Sequence, residues 1–205
     1  MGIMIYYRGR INSLDLIGSL SGEVEDIARS LGWATHLWNE DMSKPNTAQA
    51  RLGKGRIEIS GHLPLCGLTL FPHRDCEQLS LTFDCRGNLI DVFGMTLVGS
   101  GERKPGELWL STKTQFSPLE THITIVKLLL YLKKQYIGNL EVHDDGGYWE
   151  TGDVQELIRR TTLISRSMDI LEAALSAQDF EPPRRPSPEE IAEIIERILK
   201  EKFGG

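Results

Sequence analysis

Cysteine is scarce in this chain, long apolar runs are missing, and positive charge falls short of negative. Each shortage narrows the field before any residue has a role. Only three cysteines, Cys66, Cys76 and Cys85, occur in 205 residues. Their odd number and the lack of a Cys-x-x-Cys pair argue against a disulfide framework, so reduced and mostly buried thiols are expected. The longest apolar run, Leu128 to Leu132, is far below the roughly 18 residues of a membrane span. The opening residues, Met1 to Arg8, lack the basic-then-apolar plan of a signal peptide and read as a strand, which points to a cytoplasmic protein. Lys and Arg number 23 against 29 Asp and Glu, a net charge of −6. Broad nucleic-acid binding, which depends on neutralising phosphates, is not expected. No internal repeat or low-complexity tract stands out.

What is present is an ordinary globular composition, 40% hydrophobic and 25% charged, in a chain long enough to bury a core. Residues 3–11 read as a first strand. Ser21, Val24, Ile27, Ala28 and Leu31 mark an amphipathic helix starting at Ser21 and closed by Gly32, with Leu14, Leu16, Ile17 and Leu20 extending it backwards across Gly18 and Gly22. Residues 39–55 are polar and read as an exposed loop. From residue 56 the period falls to two. Ile57 and Ile59, Leu68 and Leu70, then Leu79, Leu81 and Phe83 alternate with polar neighbours as half-buried strands. The turn 84–88 leads to a returning strand at Leu89 to Phe93, a Gly-rich loop and another strand at Leu108 to Thr112. Short spacings between these strands favour an antiparallel meander.

The best-specified element follows. Ser117-Pro118-Leu119-Glu120 offers a cap hydroxyl, a proline at the first helical position and a Glu that can reach back to the cap. The helix over 118–136 is apolar on most sides. Leu140 and Val142 then begin a strand whose opposite face carries Glu141 and His143. Asp153 caps a long helix over about 154–177, residues 181–188 form a Pro-rich linker, and a last helix spans about 188–202. The fold class read from this order is α+β: a mostly antiparallel sheet packed against one strongly apolar helix (118–136) over residues 1–150, with a C-terminal helical extension over 151–205.

Familiar motifs fail on inspection. Gly99-Ser100-Gly101-Glu102-Arg103-Lys104 matches neither the P-loop nor the dinucleotide spacing. His73-Arg74-Asp75 has Ser80 where a kinase needs its metal-binding Asn. Leu20 stands where a nucleophile elbow between Gly18 and Gly22 needs its Ser, and no His-Glu-x-x-His occurs.

Four constellations remain. The acidic and aromatic segment His143, Asp144, Asp145, Tyr148, Trp149 and Glu150 is the candidate binding surface; read blandly, it is a solvated turn that caps itself. His122, in the first turn of the core helix, becomes interesting if it meets His143. With Asp144 and Glu150 the two histidines form a candidate divalent-metal set. His62, Cys66, His73 and Cys76 have zinc-type donors without zinc-knuckle spacing. The C-terminal helices carry apolar stripes that fold back or pair with a second copy. The leading expectation is a non-enzymatic binding or protein-interaction module without a cofactor, engaging a protein partner or itself through the C-terminal helices. The alternative is a metal-assisted hydrolase built on His143 and nearby carboxylates.

Overall fold

Helix α3 (Leu119–Gln135) carries Ile125, Val126, Leu128, Leu129 and Leu132 into the main core, where they join Ile5, Tyr7, Leu20, Val24, Leu68, Leu81 and Leu110. The structure is a computed structural model that describes residues 3–53, 56–163 and 166. The chain forms two compact units, one over 2–158 and one from 159 onward. In the second, residues 159–163 are helical. The expected Pro-rich linker, the helix over 188–202 and most of the helix over 154–177 lie outside the described residues.

The first unit is α+β, and all its sheets are antiparallel. In chain order it contains β1 (Met4–Arg8), α1 (Ile17–Ser30), β2 (Ala34–Asn39), β3 (Gln49–Gly53), β4 (Arg56–Ser60), β5 (Cys66–Phe71) and β6 (Leu79–Phe83). Then come α2 (Val92–Gly99), β7 (Leu110–Lys113), α3, β8 (Glu141–Asp144) and α4 (Tyr148–Thr151). The strands form three sheets, ordered β7-β1-β8, β2-β5-β6 and β3-β4. Tyr7 ties the first two together: its hydroxyl donates to the Ser80 carbonyl and accepts the Ser80 N–H, both at 2.9 Å. Burial pushes that phenol well above its usual pKa.

Several local expectations needed correction. Helix α1 begins at Ile17, so the backward extension across Gly18 and Gly22 holds from Ile17 and Ser21 is a buried interior residue, not the helix start; Gly32 takes the left-handed conformation after it, at φ 70°. Residues 49–53 of the expected loop pair with Arg56–Ser60 as a two-stranded ribbon. Ser117 is not the cap of α3, because its hydroxyl donates to the Thr114 carbonyl and no side chain caps that helix. Of the cysteines expected to be mostly buried, Cys85 is exposed and the other two are half-buried.

The returning strand at Leu89 to Phe93 is absent. Leu89 makes one bridge to Phe83, and the chain then turns into α2, where Asp91 in an extended conformation accepts the Gly94 N–H at 2.6 Å. Because Val92 to Val98 is nearly all apolar, it has no polar positions from which a period can be read. Asp91→Ala should cost about 1 kcal/mol as a lost cap. The expected readout is a lower urea midpoint with an unchanged slope, and an unmoved midpoint would show that the bond carries nothing.

Sheet β7-β1-β8 positions the site. Its register pairs Tyr6 with both Ser111 and His143, and Arg8 with Glu141. Alternation sends Ile5, Tyr7, Leu110, Thr112 and Asp144 into the protein and leaves Met4, Tyr6, Arg8, Ser111, Lys113, Glu141 and His143 on the outer face.

Candidate functional site

Three elements converge on the candidate segment from inside. The first turn of α3 presents His122, Thr114 follows β7, and Asp144 ends β8. Thr114 Oγ1 lies 2.8 Å from His122 Nδ1, and His122 Nε2 lies 3.2 and 3.3 Å from the two Asp144 oxygens. Asp144 also accepts the backbone N–H groups of Gly146 at 2.7 Å and Trp149 at 3.0 Å. Burial pushes the Asp144 pKa up, but the hydrogen bond and electrostatic attraction of His122, with the two backbone donors, hold it below the usual carboxylate range.

A hydroxyl, an imidazole and a carboxylate in line have the order of a hydrolase triad. Access decides against that chemistry. Thr114, His122 and Asp144 are 2–3% exposed, and Gly146 closes over them so tightly that a Cβ there would sit 2.5 Å from Leu157 Cδ1 and 3.0 Å from His122 Nε2. No reacting atom can approach the threonine hydroxyl. The trio is a clasp joining α3, β7 and the turn after β8.

The expected meeting of His122 with His143 does not occur. Consecutive strand residues point to opposite faces, so burying Asp144 sends His143 outward. The His143 side chain is 68% exposed, with Nε2 3.6 Å from Asp145 Oδ1 and its ring stacked on Tyr6 at 6.1 Å between centroids. Asp145 is half-exposed beside it and accepts the Met4 N–H at 3.3 Å. Tyr148 and Trp149 are half-buried against the core, with Lys133 Nζ 5.5 Å from the Trp149 ring, and Glu150 is exposed. The six residues therefore divide among interior, rim and surface. Asp153 has the capping duty expected of it, accepting the Gln155 N–H at 2.8 Å.

Among the described residues, no three His, Cys, Asp or Glu side chains converge as a metal-ligand set. The set His122, His143, Asp144 and Glu150 is broken by the same alternation. The zinc-type donors are separated by β5, since Cys66 begins that strand and His73 and Cys76 lie beyond its end, roughly 17 Å away at strand rise. Cys66 donates to the Glu40 carbonyl at 3.4 Å, His62 Nε2 meets the Asp41 carbonyl at 2.9 Å, and burial pushes the Cys76 thiol up to about 11.

The chain matches no family model, no curated protein and no solved structure. Its own residues therefore carry the functional reading.

The outer face of sheet β7-β1-β8 holds what remains open to solvent. Arg8 lies 4.6 Å over the Trp109 ring and pairs with Glu141 at 2.7 Å. Lys113 Nζ lies 4.9 Å over the Phe116 ring. Trp109 and Phe116 are 41% and 59% exposed. Of this face the sequence pointed to Glu141, His143 and Asp145; Tyr6, Arg8, Trp109 and Lys113 were missed. Strand alternation puts Tyr6 and Arg8 on one side, but nothing local says that β7 and β8 flank them. Asp144 was open to the same alternation, which carries it inward with Val142.

Among the described residues, no helix is long and apolar enough to cross a membrane.

Proposed function

We propose that this chain is a non-enzymatic interaction module that pairs with a second copy of itself through the outer face of sheet β7-β1-β8. The observation that carries this reading is the arrangement of charge and aromatic surface on that face. Lys113 lies on the β7 edge, Arg8 in the middle, and Glu141 and Asp145 on the β8 side. Two cations and two anions stand on the strands of this face, with the Glu77 carboxylate at its β7 edge beside Lys113, so the face carries little of the chain's −6. Two such chains avoid mutual repulsion only by meeting at a surface that carries little of that charge.

Register makes the face self-complementary. Sheets pack face to face with strands roughly aligned, and a two-fold axis running along β1 lays β7 of each copy over β8 of the other. Lys113 then faces Asp145 of the second copy, Ser111 faces its His143, and Trp109 faces its Glu141. Tyr6 meets its own equivalent, and the two Arg8 side chains near the axis each keep their Glu141. Trp, Tyr and Arg are the residue types that dominate interface energetics, and here Trp109 is exposed while Tyr6 and Arg8 are half-buried. The alternative of metal-assisted hydrolysis lacks comparable support, because its proposed residues face different ways. A reducing compartment such as the cytosol suits the three free thiols.

Sedimentation velocity on the full chain tests the proposal. The wild type should be dimeric at about 100 μM, well above a micromolar dissociation constant. Lys113→Glu should weaken the dimer at least tenfold by setting like charges against each other, and adding Asp145→Lys should restore it. A wild-type monomer, or a dimer indifferent to Lys113→Glu, would overturn the reading.

A further inference from the structure

A second, separate feature lies between α1 and the β2-β5 sheet, a cleft of about 480 Å³, within the size range of small-molecule sites. Gly18 and Gly22, one helical turn apart on α1, open it: a Cβ at either position would meet nothing within 4 Å. Its walls include Leu37, Trp38 and Met42. The Trp38 ring itself turns to the other face of the sheet, where its indole N–H donates to Thr69 Oγ1 at 3.0 Å beside His36, so the α1 side of the cleft meets Leu37 and Met42.

The polar lining sets the ligand chemistry. Ser21 is 6% exposed, lines the cleft, and its hydroxyl has no hydrogen-bond partner among the described residues. A buried hydroxyl without a partner costs free energy that a ligand group can recover. Cys66, also in the lining, already donates to Glu40. No Lys or Arg lines the cleft, while Glu25 does, so anionic ligands meet no countercharge and one repelling carboxylate. We propose that this cleft binds a neutral, largely apolar small molecule, placed against Leu37 and Met42 with one oxygen accepting the hydrogen bond of the Ser21 hydroxyl.

Nile red, which is neutral, planar and carbonyl-bearing, serves as the probe, titrated by fluorescence into the full chain. The wild type should show saturable one-to-one enhancement. Gly22→Leu should abolish it by filling the cleft, with an unchanged circular dichroism spectrum, and Gly18→Leu is the second variant should Gly22→Leu fail to fold. Ser21→Ala should weaken binding about fivefold through the lost hydrogen bond. Leu52→Ser, on the exposed β3-β4 ribbon, should change nothing. The proposal is overturned by unsaturable enhancement, by saturable binding that survives Gly22→Leu, by equal affinity in Ser21→Ala, or by loss of binding in Leu52→Ser, which would place the dye on the ribbon. Unfolding of both glycine variants would also overturn it, because it would mean that the space on α1 is not open.

Discussion

Asp144→Ala should destabilise the protein by about 3 kcal/mol or more, because it leaves buried groups without their partner. The carboxylate accepts from His122, Gly146 and Trp149 at once, and all of it lies where water cannot substitute. Urea unfolding at neutral pH measures the loss, and a change below about 1 kcal/mol would sink the view of this group as a clasp. The pH dependence gives a second reading. Since the folded pKa is depressed, the contribution is fully present above the ordinary carboxylate value of about 3.9 and fades as pH falls through the lower folded value. The wild type should therefore lose stability in that acid window, and the gap between it and Asp144→Asn should narrow there. A constant gap across the window would show that the carboxylate's charge is not what the clasp uses.

Gly67→Ala should be at least as damaging, with a loss above about 4 kcal/mol or no folded protein at all. Gly67 sits in β5, the middle strand of its sheet, at φ 124°, where side chains are strained. A Cβ there would stand 2.3 Å from the Leu81 carbonyl oxygen and 3.0 Å from Thr82 Cα. Both obstacles are backbone of the paired strand β6, which cannot retreat without breaking the β5–β6 ladder. Gly32→Ala is the matched control: it too has positive φ, at 70°, but a Cβ there meets nothing within 4 Å, so only the backbone strain of about 1 kcal/mol remains. Thermal melts followed by circular dichroism separate them. A fall below about 5 °C for Gly67→Ala would contradict the steric argument.

These two sites differ in how much of them could be read beforehand. Strand β5 was legible from the alternation of Leu68 and Leu70, but nothing around Gly67 announces that Leu81 crosses its Cα. The segment 143–150 was legible as a strand end and turn, and Asp153 as a helix cap, because those duties involve neighbours in sequence. The partner of Asp144 was not legible, since His122 is 22 residues away and reaches it only through the packing of α3 against β8. Where the reading erred locally, at α2, Asp91 had a cap's chemistry, but an apolar run offered no period to distinguish helix from strand.

By itself the sequence determined the α+β class, the apolar helix α3, most of the strands and the lack of a long apolar span among them, because each follows from local period and composition. Only the tertiary structure decided that Asp144 turns inward to His122 while His143 turns outward to Tyr6. It also decided that charges scattered along the chain meet on one sheet face, and that Ser21 is buried beside an open cleft. Those outcomes depend on strand order and register, through which residues more than a hundred positions apart become neighbours.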